Sequence, residues 1–210
     1  MKVGIVGSGI VGTTLAKKLV ELGHSVTIGT HTPAKEAELA AQTGAQAGSF
    51  ADAAAFGDLI IVAIKWDGLE NALKLANPAN FAGKTVIDTT NVVLGFGTPK
   101  PYLAIGFSDS AGEIVQRTLP NAKVVKALNL MGAATMVNPA QTGDTPDLLI
   151  AGNDADAKQQ VTALLREFGW QRVIDLGGIE GARALESALL LWVADAAQIG
   201  SYNRALKFVG

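Results

Sequence analysis

Short apolar runs alternate along the chain with segments whose apolar residues recur every three to four positions. Val3 to Val6 reads as a strand. Leu15, Leu19 and Leu22 then fall at i, i+4 and i+7, one face of a helix that Gly23 would end. Ser25 to Ile28 predicts a second strand, Ala34 to Thr43 a helix, Ala45 to Ala47 a short third strand and Phe50 to Phe56 a short helix. Leu59 to Ile64 is apolar throughout, as expected of a parallel strand buried on both faces. A helix near Gly68 to Leu75, a strand from Thr85 to Asp88, a helix from Asp109 to Thr118 and a strand from Lys123 to Leu128 continue the rhythm. Asn91 to Leu103, rich in Gly and Pro, reads as a long loop. The βαβ alternation predicts an α/β fold of Rossmann type, a doubly wound and mostly parallel sheet.

The spacing changes after Met131. Leu148 to Ala151 and Arg172 to Asp175 read as strands around an amphipathic helix from Asp154 to Phe168, and Glu180 to Gly200 as one long helix. Residues 1–132 are therefore expected to form a nucleotide-binding domain and residues 133–210 a small C-terminal lobe packed on it. Ala188 to Ala197 is apolar on nearly every side apart from Asp195, which predicts burial in the core or a subunit interface. A homodimer using this helix and the tail Tyr202 to Val209 is the expectation, with Trp192 placed near the partner's cleft.

Gly7-Ser8-Gly9-Ile10-Val11-Gly12 has the form GxGxxG, placed between a strand and a helix at the start of a βαβ unit, the context in which the pattern means dinucleotide binding. Gly7 permits the tight turn, Gly9 lets a pyrophosphate approach the backbone, and Gly12 lets helix and strand pack closely. The helix start, from Ser8 through Ile10 and Val11, offers unpaired N–H groups and the positive end of the helix dipole. After the second strand an NAD site usually carries a carboxylate for the ribose 2′-OH. Here the segment is Gly29-Thr30-His31-Thr32-Pro33-Ala34-Lys35, with no carboxylate before Glu36. Thr30, His31 and Thr32 can donate hydrogen bonds and Lys35 adds positive charge, which favours NADP; the alternative is an exposed histidine and a solvated lysine indifferent to the phosphate.

Ligands of such sheets bind beyond the carboxyl ends of the strands. Ala63, Ile64 and Lys65 should therefore border the pyrophosphate and nicotinamide ribose, and Asn91 is a candidate to fix the nicotinamide. Asn129, Met131 and Gly132 should lie over the place of a hydride acceptor. Trp66 reads equally as a stacking wall and as core.

Composition narrows the chemistry. Seventeen Lys and Arg against nineteen Asp and Glu give a net charge of −2, without the basic excess of a nucleic-acid-binding surface. The absence of Cys removes a thiolate nucleophile and Cys-ligated metals, and two His make a histidine metal site improbable. No run reaches the roughly 18 apolar residues of a membrane span, and the chain opens directly in a strand pattern, so a cytoplasmic protein without a signal peptide is expected. No catalytic side chain stands out: Lys65 and Lys126 are the only candidates for a carbonyl or imine reaction, and Lys126 lies mid-strand.

Val3 to Gly12, Lys123-Val-Val-Lys-Ala-Leu-Asn129, Ala151-Gly-Asn-Asp-Ala-Asp156 and Arg183-Ala-Leu-Glu-Ser187 together resemble the coenzyme F420-dependent NADP oxidoreductases, and the cytosolic domain of the STEAP metalloreductases is similar. The resemblance implies NADP as cofactor and coenzyme F420 or a flavin as second substrate. It implies that a Ser/Thr and a basic residue after the second strand hold the 2′-phosphate, at the positions of Thr30, His31 and Lys35. It further implies that a deazaflavin ring lies near the turn of Asn129, Met131 and Gly132. Three classes stay open: hydride exchange between NADP(H) and a deazaflavin or flavin, reduction of another small acceptor, and dinucleotide binding without catalysis.

Overall fold

A computed structural model describes residues 1–98 and 100–209. Strands β1 (Lys2–Val6), β2 (Ser25–Gly29), β3 (Gln46–Gly48), β4 (Leu59–Val62), β5 (Thr85–Asp88), β8 (Lys123–Lys126), β9 (Asp147–Gly152) and β10 (Arg172–Asp175) form one sheet. Its order is β10-β9-β8-β5-β4-β1-β2-β3. All neighbours are parallel except β8 and β9. Reading outward from β1, the order is that of the doubly wound dinucleotide fold, with the reversal of direction between β1 and β4. The last two strands extend this same sheet, so residues after 132 are tied to the rest by backbone hydrogen bonds as well as packing.

Alternation along the strands creates two cores. Val3, Ile5, Leu59 and Ile61 point to one face, covered by α1 (Ile10–Glu21), α2 (Glu36–Thr43), α7 (Ala155–Glu167) and α8 (Ala182–Ile199). Val6, Ile60, Val62 and Val86 point to the other, covered by α3 (Phe50–Phe56), α4 (Leu69–Leu75) and α5 (Ala111–Thr118). Every residue of β4 is buried, as its unbroken apolar run requires.

Three features depart from the sequence reading. The Asn91–Leu103 segment holds a small antiparallel hairpin, β6 (Val93–Leu94) with β7 (Tyr102–Leu103), its turn opened by Gly95 at φ 67°. Pro99 within it lies outside the described residues. A short helix, α6 (Ala133–Val137), follows β8 and packs on α1. That strand stops at Lys126 rather than Leu128, because Leu128 turns into the left-handed region at φ 64°.

The long helix is also more one-sided than its composition suggests. Ala182, Leu185, Glu186, Leu189, Trp192, Val193 and Ala196 form a buried stripe, and Leu191 on the opposite face is 66% exposed. Trp192, expected at a partner's cleft, lies in its own chain's core, where its Nε1–H donates to the Arg204 carbonyl at 2.9 Å. The tail makes this possible by folding back along β9: the Asp147 N–H donates to the Leu206 carbonyl, and the Phe208 N–H to the Asp147 carboxylate. No helix among the described residues is long and apolar enough to cross a membrane.

Candidate functional site

The crevice at the β1/β4 reversal is built first by backbone. Gly7 sits at φ 125°, and a Cβ there would run into the Ala63 carbonyl. A Cβ on Gly12 would run into the carbonyl of Gly7. These two glycines are thus required by the fold itself. Gly9 differs: a Cβ there would meet nothing within 4 Å, and its extended backbone suits any residue. No side chain caps α1, and Ile10 beside Gly9 is 80% exposed. The result is an open cradle in front of uncapped N–H groups, the shape and polarity a pyrophosphate fits. Ser8 and Val11 flank it half-buried, and Ala63 and Ile64 abut Gly7 from the end of β4. Lys65 is exposed next to them, while Trp66 packs partly buried on the second core.

At the end of β2, Thr30 is buried and its Oγ1 accepts the Thr32 N–H at 3.1 Å, leaving the hydroxyl hydrogen as a donor. His31 is exposed with its ring 6.0 Å from that of Phe50, Thr32 is half-buried, and Lys35 is exposed in the 3-10 turn Pro33–Lys35. The four residues form one polar rim, and none of them carries negative charge.

Across the crevice, Asn91 and Asn129 grip each other. The Asn91 Nδ2 donates to the Asn129 carbonyl at 3.0 Å, and the Asn129 Nδ2 donates to the Asn91 Oδ1 at 2.8 Å. Met131 is buried, and Gly132 opens α6 directly against the carbonyl of Tyr202. The ends of β5 and β8 are thereby locked side by side.

Below them lies a buried charge cluster that the sequence reading did not assemble. The Lys126 Nζ donates to Asp88 Oδ2 at 2.8 Å and to the Thr90 carbonyl at 2.6 Å, and it pairs with Glu186 Oε1 at 2.7 Å. Glu186 also accepts the Ala111 and Gly112 N–H groups at 2.9 and 3.0 Å, at the positive end of α5. Burial alone would pull the Lys126 ammonium pKa down, yet Asp88 and Glu186 more than offset it and hold the pKa above the ordinary lysine value. Lys126 is thus a fixed cation, with its protons committed. The available signal was a pair of opposite charges on faces that are otherwise apolar: Lys126 next to Val124 and Val125 in β8, and Glu186 among Ala182, Leu185 and Leu189 in α8.

Fold and cradle define a dinucleotide-binding protein of the Rossmann class. The family model "NADP oxidoreductase coenzyme F420-dependent" matches residues 2–92. A solved chain from Arthrobacter sp. FB24, described as a candidate F420-dependent NADP-reductase, superposes over 100% of both chains with a TM-score of 0.95 and 37% identity. The F420-dependent NADP reductase of Methanocaldococcus jannaschii is 28% identical over 200 residues, 89% of this chain and 88% of that one. The rat metalloreductase STEAP3 is 30% identical over 186 residues, and the chain spans only 36% of its length. The chain belongs to the coenzyme F420-dependent NADP oxidoreductase family and is an NADP-dependent oxidoreductase.

Proposed function

We propose that the chain passes a hydride between NADP(H) and a deazaflavin or flavin ring. The observation that carries this reading is the commitment of two ionisable groups beneath the cleft: Lys126 and Asp88 are both fully buried and paired with each other, so of the two lysines placed for acid–base work only Lys65, exposed after the end of β4, remains at the cleft surface. An imine or carbonyl acceptor needs a proton donor as well as a hydride. Ring-to-ring transfer needs mainly position and a dry frame, which an Asn91–Asn129 brace and a rigid β5/β8 edge supply. NADPH, when bound, supplies the hydride. Gly7, Ser8, Gly9, Ile10 and Val11 would hold its pyrophosphate, with Thr30, His31, Thr32 and Lys35 around the 2′-phosphate. Ala63, Ile64, Lys65, Asn91, Asn129, Met131 and Gly132 would border the nicotinamide and acceptor. The test is NADPH oxidation with coenzyme F420, FMN and a cyclic imine in parallel. Turnover with either ring and not with the imine supports the reading, and turnover with the imine alone removes it.

The outward stripe of α8, with Leu191 66% and Ile199 55% exposed, supports a homodimer as the working assembly. Light scattering should give twice the chain mass of 21.6 kDa, and the single-chain mass would remove this part.

A further inference from the structure

Two aromatic rings stand half in water where the acceptor turn meets the hairpin. Phe96, in the β6–β7 hairpin that follows β5, is 54% exposed, and Tyr202, in the tail against the turn that follows β8, is 50% exposed. Strands β5 and β8 are neighbours in the sheet. A Cβ on Gly132 would come within 3.1 Å of the Tyr202 carbonyl oxygen, so the tail rests on that turn. The ring centroids of Phe96 and Tyr202 are 6.4 Å apart, with planes tilted by 36°.

The rings differ in how they are held. Tyr202 lies 5.7 Å from the Trp192 ring, which is buried and hydrogen-bonded to the Arg204 carbonyl. The Asn203 side chain next to it donates to the Gln141 carbonyl at 2.7 Å. Phe96 stands between Gly95 and Gly97, both at positive φ, on a segment with wide backbone freedom. One ring is a fixed plate and the other a hinged one. A planar ring in contact on both faces needs roughly 7 Å between its neighbours, twice the carbon–carbon contact distance. A small swing of Phe96 supplies that gap.

We infer that Phe96 and Tyr202 form an aromatic clamp that takes the outer, benzenoid end of the acceptor's fused rings, with Tyr202 as the fixed face and Phe96 as the closing one, and leaves the central ring bare for the nicotinamide. This rests on the reading of the acceptor as a flavin or deazaflavin. It adds the residues that select a flat π-system over an aliphatic acceptor. Stacking on an aromatic side chain is strong enough for its loss to weaken binding about tenfold.

The test is titration of NADP⁺-loaded protein with FMN and with coenzyme F420, read by quenching of the ligand's fluorescence. Phe96→Ala and Tyr202→Ala should each weaken ring binding about tenfold, Tyr202→Phe should keep it, and NADP⁺ affinity should stay the same in all three. Phe96→Ala lies on an exposed turn and should melt with the parent chain, which keeps the test clear of folding. Wild-type protein that binds neither ring, alanine variants that bind as tightly as wild type, or an equal loss of NADP⁺ affinity would overturn the clamp. Turnover is the separate readout. A chain that binds the rings through these residues but reduces neither keeps the clamp and loses the hydride-transfer reading. A chain that reduces them and ignores both alanines does the reverse.

Discussion

Replacing Lys126 by Met takes one cation from between two buried carboxylates. Asp88 and Glu186 then face each other at the ends of what were 2.8 and 2.7 Å contacts, and the Thr90 carbonyl loses its donor. Some compensation survives, since Asp88 keeps the Thr90 N–H and Glu186 keeps those of Ala111 and Gly112. Removing one partner of a buried ion pair costs about 3–5 kcal/mol, a large share of a total stability on the order of 5–15 kcal/mol. Two buried carboxylates left without their cation repel each other, so neutralising them should restore stability. Denaturant titrations of both proteins at neutral pH give the comparison, and Asp88→Asn with Glu186→Gln in the Lys126→Met background should recover much of the gap. A gap below about 1 kcal/mol, or one that the two amides leave unchanged, would refute the assignment of the cluster as a charge-balanced clamp.

Gly9→Val should abolish NADP binding by calorimetry while the melting temperature stays near that of the parent, because the added side chain meets only the open cradle. Lys35→Glu should cut the preference for NADP over NAD more than tenfold in paired titrations, since a charge-assisted phosphate contact is worth about 1.5–3 kcal/mol; unchanged preference would take the 2′-phosphate away from this rim. Glu113 is held below the ordinary carboxyl range first by its hydrogen bond to Arg183, against burial, with Ser110 assisting. Its stabilisation is therefore present above the unfolded carboxyl value and lost as pH falls through the folded one. Glu113→Gln should be less stable than the parent at neutral pH and indistinguishable from it in strong acid, and a difference that persists in acid would rule out the ion pair as the cause.

The local rules of strand and helix carried the reading a long way. The Leu59–Ile64 run, whose strand ends two residues early at Val62, the Phe50–Phe56 helix and the fingerprint glycines all follow from period and turn chemistry alone, and they fix the crevice. What stayed hidden depends on long-range partners. Lys126 and Glu186 are 60 positions apart, and only folding brings α8 over the end of β8. Trp192 looked available for a partner because nothing in the sequence shows that Tyr202 to Val209 turns back to cover it. The β6–β7 hairpin was masked by glycines that read as loop and serve as its turn. Asn91 has a second role that depends on such a partner, since its side chain braces Asn129 across the ends of β5 and β8.

Direct hydride transfer is tested most sharply with NADPH carrying deuterium at the transferring carbon of its nicotinamide. The acceptor should be a deazaflavin, whose reduced ring carbon does not exchange with water. The protein, NADPH and coenzyme F420 are mixed without oxygen and the reduced ring is weighed by mass spectrometry. The account predicts that the label arrives on the ring, matched by loss of NADPH absorbance in equal amount. Reduced ring carrying only solvent hydrogen, or no reduced ring at all while NADPH persists, would contradict it.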